Sequence, residues 1–223
     1  MRRRPEPELM EDAAQALAYA QADFSEPNRL FLKLLRDLEP GDLEGKQALD
    51  LGCGPGDIAI HFLKAWPGAR CDALDGSAAM LASAQTALDA LPGVARRCRL
   101  LHEVLPSRQV ACGAYDLVLS NSLLHHLHDP QVLWRTLRSV GRSGALVLVM
   151  DLMRPPSPGW AESLVVTYVG EEPAMLQSDY RASLFAAFEP AEVQAQLAEA
   201  GLENLEVAVV SDRHLAVSGR LPG

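Results

Sequence analysis

The strongest signal in this sequence of 223 residues is the segment Leu49-Asp50-Leu51-Gly52-Cys53-Gly54-Pro55-Gly56-Asp57. It begins with the end of a short apolar run and is followed by a helical pattern, so it is predicted to join a buried strand to a helix. Glycines let a backbone turn tightly and approach a ligand closely, because no Cβ lies in the way. We therefore interpret the segment as a ligand-binding loop.

The glycine spacing and the acids beside it indicate which ligand the loop suits. The pattern is G-x-G-x-G, whereas a dinucleotide-binding loop has G-x-G-x-x-G. Asp50 precedes the glycines and Asp57 follows them. Two carboxylates would repel a pyrophosphate and attract an ammonium group. A nicotinamide-dependent reductase on a similar sheet is thus disfavoured, and absence of NAD(H) binding would exclude it.

A further acid, Asp75, follows the strand predicted over residues 70–74. An acid at the end of the second strand, about 20 residues beyond the glycines, can accept hydrogen bonds from both hydroxyls of a ribose. The alternative is a local role at the start of the next helix, which Ser77 is predicted to cap.

Short apolar runs alternate with helical patterns on either side of the loop. Strands are predicted at 48–51, 70–74, 98–101, 115–120 and 144–150. Apolar strands that alternate with helices indicate a doubly wound parallel sheet with helices on both faces. The last two predicted strands, 205–210 and 214–219, are joined by a short turn and should form an antiparallel hairpin.

Two regions outside this core are predicted to be helical. Residues 9–23 and 27–38 form two helices, the second capped by Ser25 or Glu26 with Pro27 in its first turn. Residues 152–188 are predicted to hold two helices that form a lid above the strand ends. We expect one domain with four parts: an N-terminal helical cap (1–40), a core (46–151), a lid insertion (152–188) and a C-terminal helix and hairpin (190–219).

Composition narrows the class of protein. Hydrophobic residues make up 48% and charged residues 22%, as in soluble globular chains. The longest apolar run has six residues, and roughly 20 are needed to cross a bilayer. With 29 acids against 20 bases, net charge −9, the chain lacks the basic footprint of a nucleic-acid-binding protein. Four dispersed cysteines and an N-terminus without an apolar segment favour a cytoplasmic protein with reduced thiols.

Three groups of residues resemble the successive motifs of class I S-adenosylmethionine-dependent methyltransferases. They are residues 49–57, Asp75-Gly76-Ser77 with Met80-Leu81, and 115–121. Residues 124–130 and 141–151 are similar to the small-molecule branch of that superfamily. The resemblance covers roughly residues 46–151. It implies a Rossmann-like seven-stranded sheet, S-adenosyl-L-methionine as cofactor, S-adenosyl-L-homocysteine as product and a small-molecule acceptor.

The resemblance also implies roles for individual residues around the methyl donor. The backbone of Gly52, Cys53 and Gly54 would line the methionine part, with Asp50 near its amino group. Asp75 would hold the ribose. The remaining residues assigned to the donor are Tyr19, Gly76, Met80, Glu103 and Asn121.

Some of these assignments have open alternatives. Met80 would pack near the adenine or simply in the core. Glu103 stands where the family commonly has an Asp that binds the adenine amino group. Asn121 would face the methyl donor or cap its strand. Tyr19, together with Phe24 and Trp160, is a candidate lid residue, and core packing is the alternative for all three.

A sulfonium methyl is already activated, so catalysis needs alignment of the acceptor and, where the acceptor must lose a proton, a base. His125 is the first candidate for that base and His126 the second, with a structural role as the alternative. A metal site formed by His125, His126, His128 and Asp129 is not expected, because residues 125 and 126 are predicted to point to different sides of a turn.

The segment Asn121-Ser122-Leu123-Leu124 stands where amine-methylating nucleic-acid enzymes have N-P-P-Y or D-P-P-Y, and the Pro-Cys pair of cytosine-C5 enzymes is missing. The preferred function is therefore methyl transfer to a small molecule by in-line displacement. The alternatives are a donor-binding scaffold or regulatory protein without catalysis, and a methyltransferase for a macromolecule. The acceptor, the atom methylated and the oligomeric state stay open.

Overall fold

A seven-stranded mixed sheet forms the centre of the protein in a computed structural model that describes residues 1–222, with only the backbone described at Ala13. The strands are β1 (Gln47–Leu51), β2 (Arg70–Asp75), β3 (Cys98–His102), β4 (Tyr115–Asn121), β5 (Gly141–Leu152), β6 (Glu206–Val209) and β7 (His214–Arg220). Their order is β3-β2-β1-β4-β5-β7-β6. Strands β1 to β5 are parallel, and β7 runs antiparallel to both β5 and β6. The predicted doubly wound sheet with a C-terminal antiparallel hairpin is confirmed.

The helices pack on both faces of this sheet. They are α1 (Ala13–Gln21), α2 (Ser25–Leu38), α3 (Asp57–Ala65), α4 (Ala78–Asp89), α5 (Pro92–Ala95), α6 (Gln131–Val140), α7 (Pro158–Val169), α8 (Ala174–Ala186) and α9 (Pro190–Ala200). Alternate residues of the strands enter two separate cores. Leu49 packs on the face covered by α6 and α9, whereas Ala48 packs on the face covered by α2 and α3. Burial on both faces explains why these strands are apolar along their whole length.

The starts of the helices follow local hydrogen bonds. Ser77 caps α4 as predicted, since its hydroxyl accepts a hydrogen bond from the Met80 amide at 3.2 Å. The predicted cap of α2 is wrong: the helix begins at Ser25, whose amide donates to Asp23 Oδ1 at 2.8 Å. Helix α1 is shorter than predicted, because Asp12 caps it through the Gln15 amide at 2.8 Å.

The strand order places a ligand crevice between β1 and β4. The sheet extends from β1 through β2 in one direction and from β4 through β5 in the other, so the connections on the two sides diverge there. Ligands bind open α/β sheets beyond the carboxyl ends of the strands at such a point. Helices α7 and α8, both within residues 152–188, pack against each other around their own small apolar core. No helix within residues 1–222 is long and apolar enough to cross a membrane.

Candidate active site

A cavity of about 920 Å³ lies at the crevice. Its walls come from the loops after β1, β2 and β4, from residues 6–12, and from parts of α1, α2, α7 and α8. The twelve residues assigned to donor and catalysis all line it: Tyr19, Asp50, Gly52, Cys53, Gly54, Asp75, Gly76, Met80, Glu103, Asn121, His125 and His126. The structure brings them together, while the role of each stays a prediction.

The glycine loop turns sharply at the end of β1. The amides of Gly52 and Cys53 both donate to the Leu74 carbonyl, at 2.8 and 2.9 Å. Gly52 and Gly54 have φ of 69° and 52°, a region that L side chains rarely adopt. A Cβ on Gly52 would lie 2.8 Å from the Leu123 side chain, whereas a Cβ on Gly54 would meet no protein atom within 4 Å. Gly54 thus leaves open space where the loop lines the cavity.

Asp75 links the loop to the next helix. Its Oδ2 accepts from the Gly54 amide at 2.8 Å, and its Oδ1 accepts from the Ser77 amide at 2.7 Å. Burial raises the pKa of Asp75, and these two hydrogen bonds oppose that shift. Asp75 therefore has the local role at the start of α4 that was the alternative to ribose binding. It does not exclude ligand binding, since each carboxylate oxygen has a second acceptor site.

Asp50 is a buried carboxylate without a partner. It is 1% exposed, and neither oxygen makes a hydrogen bond of ordinary geometry within residues 1–222. Burial first, and then the charge of Asp75, raise its pKa to about 7, although the Ala59 amide opposes the shift. Asn121 Oδ1 is also buried and unpartnered in the described chain. Burying polar groups without partners costs free energy. A ligand with a cationic group for Asp50 and a hydrogen-bond donor for Asn121 would supply the missing partners.

Glu103 lines the cavity and also stabilises the loop that follows β3. Its Oε2 accepts from the Ser107 hydroxyl and from the Arg108 and Gln109 amides, both at 3.0 Å. The Ser107 bond, more than the others, lowers its pKa. The prediction that Glu103 binds an adenine amino group therefore rests on Oε1 alone.

Two of the three aromatic lid candidates lie in the cavity wall. Tyr19 and Phe24 pack together with ring centroids 4.6 Å apart and both line the cavity. Trp160 is 53% exposed and is not among the lining residues, so its assignment to the lid wall is wrong. Helix α7 turns its other side, with Ala161, inward.

His125 forms a buried pair with Asp151, a residue that the sequence analysis did not single out. The His125 Nδ1 lies 2.6 Å from Asp151 Oδ1, and Asp151 Oδ2 accepts from the Leu124 amide at 2.7 Å. Burial alone would lower the pKa of His125, but the charges of Asp151 and Glu6 and the bond to Asp151 together raise it. Asp151 lies near the end of β5, the neighbour of β4. The sequence signal that could have identified Asp151 is an acid near the end of β5, the strand next to the one that precedes His125.

His126 and Glu6 complete this end of the cavity. The rings of His125 and His126 lie 4.1 Å apart, and Glu6 Oε1 lies 3.4 Å from His125 Nε2 and 3.3 Å from His126 Nδ1. The expectation that the two histidines point to different sides of a turn is wrong, because a short 3₁₀ turn at Leu124–His126 brings them together. Burial, followed by the charge of His125, lowers the pKa of His126 to about 3.

His128 lies apart from that pair and holds the N-terminal segment instead. Its Nε2 lies 2.8 Å from the Glu6 carbonyl, and its amide donates to Glu8 Oε1 at 2.7 Å. Farther along the wall, Arg213 pairs with Glu26 and lies over the Tyr168 ring, 3.3 Å from its centroid. No sequence motif marks Glu6 or Arg213 as a site residue.

Comparison with known proteins agrees with this geometry. Residues 49–147 match the family described as "Methyltransferase domain". A protein of known structure from Methanococcus maripaludis, described as an S-adenosyl-L-methionine-dependent methyltransferase, superposes with a TM-score of 0.74 over 100% of this chain and 98% of its own. Its identity is 14%, so it supports the fold alone. The family match and the curated relatives support a class I S-adenosylmethionine-dependent methyltransferase.

Two kinds of curated methyltransferase are similar to this chain. A "Ubiquinone biosynthesis O-methyltransferase" of Bordetella avium is 27% identical over 79% of this chain and 69% of its own length. The same enzyme of Bordetella parapertussis matches over 64% of its length. The "Trans-aconitate 2-methyltransferase" of Mycobacterium tuberculosis is 33% identical over 44% of this chain and 33% of its own. The chain thus spans about two thirds of the first relatives and a third of the last.

Proposed function

We propose that this protein transfers the methyl group of S-adenosyl-L-methionine to an oxygen of a small-molecule acceptor. One observation carries the proposal: a single cavity joins the Gly54 and Asp75 wall to the buried His125–Asp151 pair. A volume of about 920 Å³ lies near the upper end of the range for small-molecule sites. The printed names of the relatives, an O-methyltransferase and a trans-aconitate methyltransferase, support the choice of a small acceptor.

The wall around the glycine loop fits the donor. The unpartnered Asp50 carboxylate would take the ammonium group, and the open space at Gly54 would admit the methionine part. Asp75 would accept hydrogen bonds from the ribose hydroxyls. Residues 1–40 and 152–188 would form the remaining walls and keep water away from the reacting atoms.

His125 is the proposed base. Asp151 fixes Nδ1 as the protonated nitrogen, so Nε2 carries the lone pair on the side of the cavity. The acceptor hydroxyl gives its proton to Nε2, and its oxygen forms a bond to the methyl carbon. The carbon–sulfur bond breaks with its electron pair left on sulfur, giving S-adenosyl-L-homocysteine. His126, neutral at pH 7, lies beside this path and contacts the acceptor.

The test is methyl transfer from donor with a labelled methyl group. The purified protein is incubated with small phenols and carboxylic acids and, separately, with fractions of a cell extract. The proposal predicts a labelled small product that is lost in Asp75→Ala and in His125→Ala. Label in a macromolecular fraction alone would replace the proposed acceptor class. Donor binding without any labelled product would instead indicate a scaffold or regulatory protein.

A further inference from the structure

Three side chains meet at one point in the cavity wall. Glu6 Oε1 lies 3.4 Å from His125 Nε2 and 3.3 Å from His126 Nδ1, and ligating atoms of the three residues all lie within 4.8 Å of one another. Glu6 comes from the N-terminal segment, and the histidines come from the turn after β4. All three line the cavity.

The spacing of these atoms is unusual for hydrogen bonds. A bond between a histidine N–H and a carboxylate is normally about 2.7–2.9 Å long. Neither contact has hydrogen-bond geometry, and His126 Nδ1 has no hydrogen bond in the part of the chain that is described. Four ligands at about 2.0–2.1 Å from a tetrahedral Zn²⁺ lie about 3.3–3.4 Å apart. The separations of 3.4 and 3.3 Å match that spacing.

The tautomer of His125 points the same way. With its Nδ1–H donated to Asp151, the His125 ring presents Nε2 toward the carboxylate of Glu6. A cation between these two atoms, either a proton on Nε2 or a metal ion, stabilises the arrangement, and the separation of 3.4 Å is longer than that of a protonated, hydrogen-bonded pair. The guanidinium of Arg3 does not fill this place, because it donates to the backbone carbonyls of His125 and Leu127 at 3.0 and 3.1 Å.

The surrounding residues provide the support that metal ligands usually have. A ligating histidine commonly donates its second N–H to a carboxylate, as His125 does to Asp151 at 2.6 Å. A ligating carboxylate commonly accepts a further hydrogen bond, as Glu6 does from the Ser183 hydroxyl at 3.0 Å.

We propose that Glu6, His125 and His126 form a binding site for a divalent transition-metal ion, best suited to Zn²⁺. Two imidazoles and one carboxylate are a ligand set typical of zinc sites that keep a fourth, open position. That position would face the cavity, where an acceptor oxygen can bind and lose its proton to solvent. This role rests on the proposed function, whereas the site itself does not.

Metal ion and proton compete for the same atom, Nε2 of His125. In the metal-bound protein the cation, rather than His125, would lower the pKa of the acceptor hydroxyl. This ligand set differs from the one rejected in the sequence analysis, because Glu6 supplies the third ligand and His128 lies apart.

The test is calorimetric titration of the full chain with Zn²⁺ after removal of metals with a chelator. We expect one equivalent of Zn²⁺ to bind per chain, and Glu6→Gln to weaken that binding at least tenfold. Glu8→Gln, the same change two residues along the segment, should leave it unchanged. Co²⁺ in place of Zn²⁺ should give the visible absorption bands of a tetrahedral ion in the parent protein and lose them in Glu6→Gln.

Equal Zn²⁺ binding by the parent protein and Glu6→Gln, or none by the folded parent protein, would overturn the proposal. Titration of the same samples with S-adenosyl-L-homocysteine separates the two proposals. Zn²⁺ binding without binding of this product would retain the metal site and count against the proposed function. Binding of S-adenosyl-L-homocysteine without Zn²⁺ binding would retain the proposed function and overturn the metal site.

Discussion

The two ends of the cavity are built in different ways. At the proposed donor end, six of the ten residues assigned to the donor lie within residues 49–77, at the ends of β1 and β2 or just beyond them, and several of the groups there are backbone atoms. The proposed acceptor end is the group of contacting residues around His125, which come from four separate parts of the chain: Glu6, His125, Asp151 and Ser183. A short sequence pattern therefore predicts most of the donor end. The acceptor end is formed only when distant parts of the chain fold together.

The hydrogen bonding of the two ends differs as well. At the proposed donor end, both oxygens of Asp75 are already bonded to backbone amides, whereas the Asp50 carboxylate and Asn121 Oδ1 lack partners among residues 1–222. At the acceptor end, His126 Nδ1 and the Tyr180 hydroxyl are buried without partners among residues 1–222. We expect substitutions at the donor end to affect binding, and those at the acceptor end to affect turnover.

The largest effect should come from Gly54→Val, which we expect to abolish binding of S-adenosyl-L-homocysteine. The new side chain would occupy space that is open beside the loop. Gly113→Val is the matched control, since Gly113 has φ of 60°, has no neighbour within 4 Å of its Cβ position and lies outside the cavity. Equal binding by both variants in calorimetric titration would remove the glycine loop from the donor site.

His125→Ala should lower kcat about 10²–10⁴-fold, the usual contribution of a positioned base. The Kd for S-adenosyl-L-homocysteine should change less than about threefold, because the donor end is built without this residue. Steady-state rates and titration check the two numbers. A large loss of affinity for S-adenosyl-L-homocysteine in His125→Ala would show that donor binding depends on His125 as well.

Asp75→Ala should weaken donor binding at least tenfold while the protein stays folded. The change removes the acceptor of the ribose hydroxyls and the two bonds that hold the loop. Asp129→Ala is the control, because Asp129 makes one comparable bond, to the Gln131 amide at 3.0 Å, away from the cavity. Unchanged affinity in Asp75→Ala would contradict the ribose assignment.

The smallest expected effect concerns the pH dependence of donor binding. Because the pKa of Asp50 is raised to about 7, a cationic ligand should bind about tenfold more weakly at pH 6 than at pH 8. Titration with S-adenosyl-L-homocysteine at both values measures the ratio. Asp50→Asn should weaken binding at pH 8 and flatten the profile; an equally steep profile would assign the titration to another group.

Asp50 should also lower the stability of the ligand-free protein at neutral pH. Its pKa is higher in the folded than in the unfolded chain, so the folded state binds the proton more tightly. The free energy of unfolding should therefore fall as pH rises from about 4 to 7 and stay low above that range. Asp50→Asn should raise Tm at pH 8 by roughly 3–10 °C, as removal of an unpaired buried charge allows. Scanning calorimetry would show a lower Tm if Asp50 instead stabilised the empty site.

The sequence predicts the sheet and the donor end because both depend on neighbouring residues. Apolar runs locate the strands, and Asp50, the glycines and Asp75 lie at strand ends that a parallel sheet brings to one edge. Glu6 could not be found this way, since 119 positions separate it from His125 and only tertiary packing joins them. The predicted start of α2 is wrong for a local reason: the helix already begins at Ser25, whose amide donates to Asp23 two residues earlier.

Calorimetric titration of the purified protein with S-adenosyl-L-methionine and, separately, with S-adenosyl-L-homocysteine shows directly whether the cavity holds the methyl donor. We expect each of the two to bind with one molecule per chain. Absence of binding for both, in a sample shown to be folded by circular dichroism, would contradict the assignment of this cavity to the methyl donor.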